Sequence, residues 1–169
     1  NVKYHILNSA GVFNYTQEHY DFVRTGLSIY GISPLKKVND NLKPVMKLIA
    51  PIILIKKIKK GEKIGYGCTF ESNRNMKIGI VQCGYADGLP LNFSNKGNVF
   101  IKNKKAPILG KVSMDLICID CTDLKFVKLM DYVSIWGDEE YPESRLEFIA
   151  NKFNTIPYIY ITNLSNRVK

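Results

Sequence analysis

GNVFIKNKKAPILGKVSMDLICID, residues 97–120, holds three short apolar runs set off by turn residues. Gly97–Ile101 and Ala106–Gly110 flank Lys102-Asn103-Lys104, and Lys111–Asp120 follows at once. Runs this short, with polar residues at each break, read as antiparallel strands joined by tight turns. The same texture extends outward. Val45–Ile58, Lys63–Gly67, Lys77–Gln82 and Tyr132–Trp136 are further strand candidates, separated by turn signals such as Lys60-Gly61-Glu62 and Ser72-Asn73-Arg74-Asn75. In the first of them, Ile52, Leu54 and Ile58 read as a core stripe, and the lysines of 56–63 as a solvated edge. Leu146, Ile149, Ala150 and Phe153 fall at helical spacing, so one helix is expected over Ser144–Phe153. Tyr158–Thr162 reads as a closing strand. The expected fold class is mainly β: a small antiparallel barrel or sandwich with one helix.

The first residues read differently. Tyr4–Leu7 is a short apolar strand candidate, and Thr16 sits where a helix cap would, with Glu18 in the first turn and Tyr20 and Val23 as its inner face. Gly26–Ile32 (GLSIYGI) reads as a second strand, ended by Pro34. Together these make a βαβ unit, which has nothing to pack on by itself, so residues 1–34 are expected to be loosely held. Residues 35–43 (LKKVNDNLK) read as a linker. The expected division is an α/β remnant with its linker over 1–41 and a complete β domain over 42–169. With Asn1 not a start residue, the chain reads as a C-terminal fragment.

Composition narrows the function classes. The 169 residues carry a net charge of +9, from 24 basic and 15 acidic side chains. Twenty of the basic residues are Lys and four are Arg (Arg24, Arg74, Arg145, Arg167). Arg supplies the bidentate contacts of nucleic-acid recognition, so its scarcity argues against that partner. The longest apolar run, Leu48–Ile55, is too short for a membrane span. Of the cysteines, Cys118 and Cys121 have C-x-x-C spacing, but alternation through Ile117–Cys121 puts them on opposite faces of a strand. Reduced thiols, no metal site and a cytoplasmic location are expected.

Four strings can carry chemistry, and each also has a plain structural reading. Cys83-Gly84-Tyr85-Ala86-Asp87-Gly88 is either an exposed functional loop or a hairpin turn. Asp115, in Gly110-Lys111-Val112-Ser113-Met114-Asp115, is a site carboxylate or a surface residue at a kink. Asn8-Ser9-Ala10 suits a phosphate-binding turn or a helix cap. Arg24, in Val23-Arg24-Thr25-Gly26, would be buried at the head of a strand and must be paired, while Gly26 lets backbone N–H groups approach an anion.

The order of the strings is more specific than any one of them. H-x-x-N-S-A at His5, V-R-x-G at Val23, L-K-P-V-M at Leu42, G-Y-A-D-G at Gly84, S-M-D at Ser113, T-I-x-Y at Thr155 and a final Arg167-Val168 follow one another. This series resembles the pyridoxal-phosphate-dependent alanine racemases over nearly the whole chain. The resemblance implies a (β/α)8 barrel ending in residues 1–34, a C-terminal β domain, and a head-to-tail homodimer that shares its sites. It implies racemisation of alanine for peptidoglycan supply, an isomerase activity. Tyr85 would be the base on one substrate face, in the partner subunit's site. Arg24 would meet the pyridine nitrogen. Ser9, Tyr158 and the backbone N–H groups of Gly26 and Leu27 would hold the phosphate. Met114, with Asp115 beside it, would contact substrate. The second base is the lysine that carries the cofactor, and no lysine of this chain sits in a matching motif, so the chain alone is expected to be inactive.

These residue types suit the reaction. Racemisation needs an acid/base group on each face. A tyrosine, with an ordinary pKa near 10, needs a nearby cation to act as base at neutral pH. Arg offers donors only, so it would leave the ring nitrogen unprotonated and the electron sink weak. Three positions depart from the family pattern: Leu91 and Lys111, where Arg is common, and Ile159, where Glu is common. The first two lie toward the expected substrate entrance. They keep open a serine or broad-specificity racemase on the same scaffold. A free-standing nucleic-acid-binding β-barrel is the remaining alternative.

Overall fold

The computed structural model describes residues 1–35, 37 and 39–169; positions 36 and 38 of the expected linker lie outside the described residues. Six strands close into an antiparallel barrel: β1 (Leu48–Ile58), β4 (Met76–Val81), β5 (Asn98–Ile101), β6 (Lys104–Leu109), β7 (Ile117–Asp120) and β8 (Tyr132–Trp136). Around the barrel they run β1-β4-β7-β6-β5-β8. Closure leaves no free edge, which decides between the barrel and the sandwich. A two-stranded ribbon, β2 (Lys63–Ile64) and β3 (Phe70–Glu71), lies outside that circuit.

The long strand β1 serves two partners. Residues 48–51 pair with β8 and residues 52–58 with β4. Pro51 sits at the change of partner, where a missing N–H is tolerated. The register shifts between Ile52 and Leu54. That shift turns Leu54 out to solvent, so the expected core stripe keeps Ile52 and Ile58 but not Leu54. Inside, Ile52, Val99, Ile108, Ile119, Val133 and Ile135 fill the barrel. Cys118 belongs to a second cluster with Ile64 and Ile78, while Cys121 belongs to the main core, so the two thiols do face apart. Among the described residues no group of His, Cys, Asp and Glu is arranged to hold a metal ion, and no helix is long and apolar enough to cross a membrane.

The domain helix appears as α2 (Leu146–Lys152). Other expectations fail for identifiable reasons. Lys111–Asp120 is not one strand: Ser113 accepts from the Leu116 N–H at 3.1 Å and its own N–H donates to the Leu116 carbonyl at 3.0 Å. This serine turn ends the ladder and leaves only β7. Tyr158–Thr162 is not a strand but a helix, α3, begun directly after Pro157. The barrel has already closed without it.

The βαβ unit expected over 1–34 does not form. Its parallel pairing is reduced to one bridge, Asn8 with Arg24. The helix is not at Thr16 but at α1 (Ser9–Asn14), where the Asn8 side chain accepts from the Gly11 N–H at 3.0 Å. Gly26–Ile32 gives a 3-10 turn over Leu27–Tyr30 rather than a strand. The backbone bonds locally instead: Ile29 N–H to the Gly26 carbonyl and Gly31 N–H to that of Ser28. Nor is the whole segment loose. Leu27 and Ile32 enter the main core. A buried ion pair holds the connection beyond them: Glu147 Oε1 accepts from Arg145 Nη2 at 2.9 Å and from the Ser33 N–H at 3.2 Å, and Arg145 Nη2 donates to the Leu42 carbonyl at 2.8 Å.

Candidate functional site

Ser9, Gly26, Leu27 and Tyr158 come from three separate stretches and meet at one place. Ser9 opens α1, Gly26 precedes the 3-10 turn, and Tyr158 opens α3. The Gly26 N–H donates to Ser9 Oγ at 2.8 Å, and the Leu27 N–H donates to the Tyr158 hydroxyl at 3.1 Å. Each hydroxyl accepts from an amide and keeps its own O–H free to donate. The two amides thus orient the two hydroxyls, and the two O–H groups left to donate face one small cradle, as an anion requires. Gly26 is required by the close approach: a Cβ there would lie 2.2 Å from the Tyr158 hydroxyl oxygen.

Arg24 stands beside the cradle. It is exposed rather than buried, but it is held. Its Nη1 lies 2.7 Å from His5 Nδ1 and its Nη2 donates to the Ile6 carbonyl at 3.2 Å. Arg can only donate, so His5 Nδ1 accepts and carries no proton. His5 was legible only as the first letter of its motif, with no role attached.

Tyr85, Met114 and Asp115 form a second cluster. The chain leaves β4 through Cys83 and Gly84 into a 3-10 turn over Tyr85–Asp87. This turn is clamped to the serine turn by two backbone bonds: Tyr85 N–H to the Ser113 carbonyl at 3.0 Å, and Ala86 N–H to that of Met114 at 2.9 Å. A Cβ at position 84 would sit 2.3 Å from the Met114 carbonyl oxygen, so only glycine lets the turns meet this closely. Tyr85 and Met114, on the two clamped turns, are each about half exposed. Burial pushes the Cys83 thiol up to about 12, with the Asp87 charge adding to it, so this cysteine stays protonated and inert.

One residue without an expected role joins this cluster. Arg167 Nε lies 3.3 Å from Asp87 Oδ1 and its Nη1 lies 2.7 Å from Asp115 Oδ1. The terminal Arg167-Val168 pair of the motif series was its only signal. Among the described residues the two clusters share no hydrogen bond or ion pair. Lys111 lines a groove of about 330 Å³ beside the serine turn, with Tyr66 and Leu116, and Leu91 is exposed.

Residues 45–169 match the family model described as alanine racemase, C-terminal domain. An alanine racemase from Vesicomyosocius okutanii is 40% identical over 95% of this chain and 45% of its own length. One from Rickettsia bellii is 41% identical over 100% of this chain and 41% of its own. Among solved structures, the Bartonella henselae alanine racemase, with covalently bound pyridoxal phosphate, superposes with a TM-score of 0.91 at 36% identity, over 100% of this chain and 46% of that one. The chain thus spans under half the length of these relatives. With its mainly β barrel and this likeness in sequence and structure, the chain belongs to the alanine racemase family.

Proposed function

We propose that the full-length gene product carrying this chain is an alanine racemase that uses pyridoxal phosphate, interconverting L- and D-alanine in the cytoplasm for peptidoglycan. The carrying observation is the cradle of Ser9, Gly26, Leu27 and Tyr158, in which two amides orient two hydroxyls and whose size is set by the missing Cβ of Gly26. It fits a phosphate monoester: the Ser9 and Tyr158 O–H groups, held by the two amides, can donate to its oxygens. Arg24, oriented by His5, adds fixed donors nearby. When bound, the cofactor supplies the electron sink for charge on the substrate α-carbon.

In this reading residues 1–41 complete the cofactor-binding barrel, and residues 42–169 are the β domain. The Tyr85 hydroxyl takes or returns the α-proton on one face of the substrate. Met114, its clamped neighbour, meets the substrate, with Asp115 behind it. The two clusters lie apart within one chain, which suits a head-to-tail homodimer in which the Tyr85 cluster serves the partner's cofactor. The second acid/base group comes from outside these residues, so residues 1–169 alone interconvert no alanine.

The test is α-proton exchange in deuterated water with the full-length gene product, measured separately for each enantiomer. Wild type exchanges both. Tyr85→Phe keeps the ring and removes the acid/base oxygen. Exchange from L-alanine then falls by about 10²- to 10⁴-fold, the usual contribution of a general base, and exchange from D-alanine falls far less. Equal loss for both enantiomers, or none, would make Tyr85 structural and refute its assignment.

A further inference from the structure

The 84–88 and 113–116 turns meet through two backbone hydrogen bonds, and each also carries a carboxylate. Asp87 Oδ2 accepts from the Gly84 N–H at 2.8 Å, closing its own turn, while Oδ1 faces Arg167. Asp115 follows Met114 and is partly exposed. Two carboxylates on turns clamped this closely repel each other and push the clamp open. The guanidinium of Arg167 lies between them, 3.3 Å from one and 2.7 Å from the other. It is the planar, two-ended cation that such a gap requires. Its own backbone is fixed. The Arg167 N–H donates to Ser165 Oγ at 3.3 Å, the Val168 N–H donates to the Ser165 carbonyl at 3.1 Å, and Val168 packs against the main core.

We propose that Arg167 is a positioning residue: by bridging Asp87 and Asp115 it locks the Tyr85 turn to the Met114 turn and so sets where the Tyr85 hydroxyl stands against the substrate. This rests on the reading of Tyr85 as an acid/base group given above. Arg167 is half exposed, so the bridge adds little to global stability. Its effect is local, on the geometry of two turns that no strand ladder holds.

Arg167→Gln in the full-length gene product separates this role from a general structural one. Two readouts are needed. The first is hydrogen–deuterium exchange of the Tyr85 and Ala86 amides, which donate across the clamp. Their protection falls by about tenfold, the loss expected from two half-exposed ion pairs. The second is α-proton exchange. Exchange from L-alanine falls by about ten- to a hundredfold, as a displacement near 1 Å of a reacting group does, while exchange from D-alanine and the melting temperature hold. Arg167→Lys keeps the charge but not the two-ended fork, and recovers part of both readouts. In a Tyr85→Phe background, Arg167→Gln removes nothing further from L-alanine exchange. Unchanged amide protection, or equal loss from both enantiomers, overturns the proposal. A wild type that exchanges neither enantiomer overturns the racemase reading instead, and the amide measurement still decides the role of Arg167.

Discussion

Gly26→Ala tests the cradle with the smallest possible change. The Gly26 φ is −109, so alanine there needs no left-handed backbone. Its main effect is the new methyl group, 2.2 Å from the Tyr158 hydroxyl oxygen. Ordinary contact is about 3.5 Å, so the hydroxyl must retreat by more than an ångström. That breaks its bond from the Leu27 N–H and withdraws one of the two hydroxyl donors. A hydrogen bond to a charged group contributes about 1.5–3 kcal/mol. Affinity for pyridoxal phosphate should therefore fall by about ten- to a hundredfold. Tyr158 is partly exposed and can swing outward, so the unliganded protein loses less than about 1 kcal/mol. The assay is titration of the full-length unliganded protein with cofactor, followed by absorbance, beside thermal melting without cofactor. Unchanged affinity would refute the cradle. A large drop in melting temperature with unchanged affinity would make the contact a packing feature.

Three more outcomes follow from buried groups, each measured on the full-length gene product. The Tyr160 hydroxyl is buried without a partner among the described residues, so Tyr160→Phe, which keeps the edge-on contact with Phe93, should raise stability by about 1 kcal/mol in urea unfolding; a loss would mean that the hydroxyl is satisfied. Glu147→Ala strands the Arg145 guanidinium and frees Ser33, and should cost about 3–5 kcal/mol by the same measurement; a cost under about 1 kcal/mol would mean that the pair does not hold Ser33 and Leu42 in place. Burial works against ionisation of Asp138, but hydrogen bonds from Lys47 and Ser134 outweigh it and hold its carboxyl below the ordinary 3.8. Its stabilisation is therefore present above that value and lost as pH falls below it, so Asp138→Asn should flatten the acid limb of the stability curve and leave its slope near pH 7 unchanged.

The barrel strands were legible because alternation and turn residues act locally. β5, β6 and β8 fall within one or two residues of the expected runs. What sequence could not carry was context. GLSIYGI has the apolar content of a strand, but its backbone closes into a 3-10 turn ended by Gly31 in the left-handed region at φ +68. Ser113 turned a long expected strand into a turn and a short strand, and that turn exposes Met114. The cradle shows the same limit. Its four members were nameable from motif order, yet the Leu27–Tyr158 bond spans 131 positions, and no local pattern signals such a partner. Arg167 was missed for this reason, since its two carboxylates lie far back along the chain.

The misread of residues 158–162 bears most directly on function. YIYIT alternates, and in a strand Tyr158 and Tyr160 would point to the same side. Both would then face the core, or both the surface. In α3 they are two residues apart on a helix, about 200° around the axis. Tyr160 can therefore turn inward, 1% exposed against Phe93, while Tyr158 turns outward to the Leu27 N–H. The helix lets five residues anchor in the barrel core and still supply a hydroxyl to the cradle. Pro157, immediately before it, was the available signal, because proline favours the start of a helix and interrupts a strand.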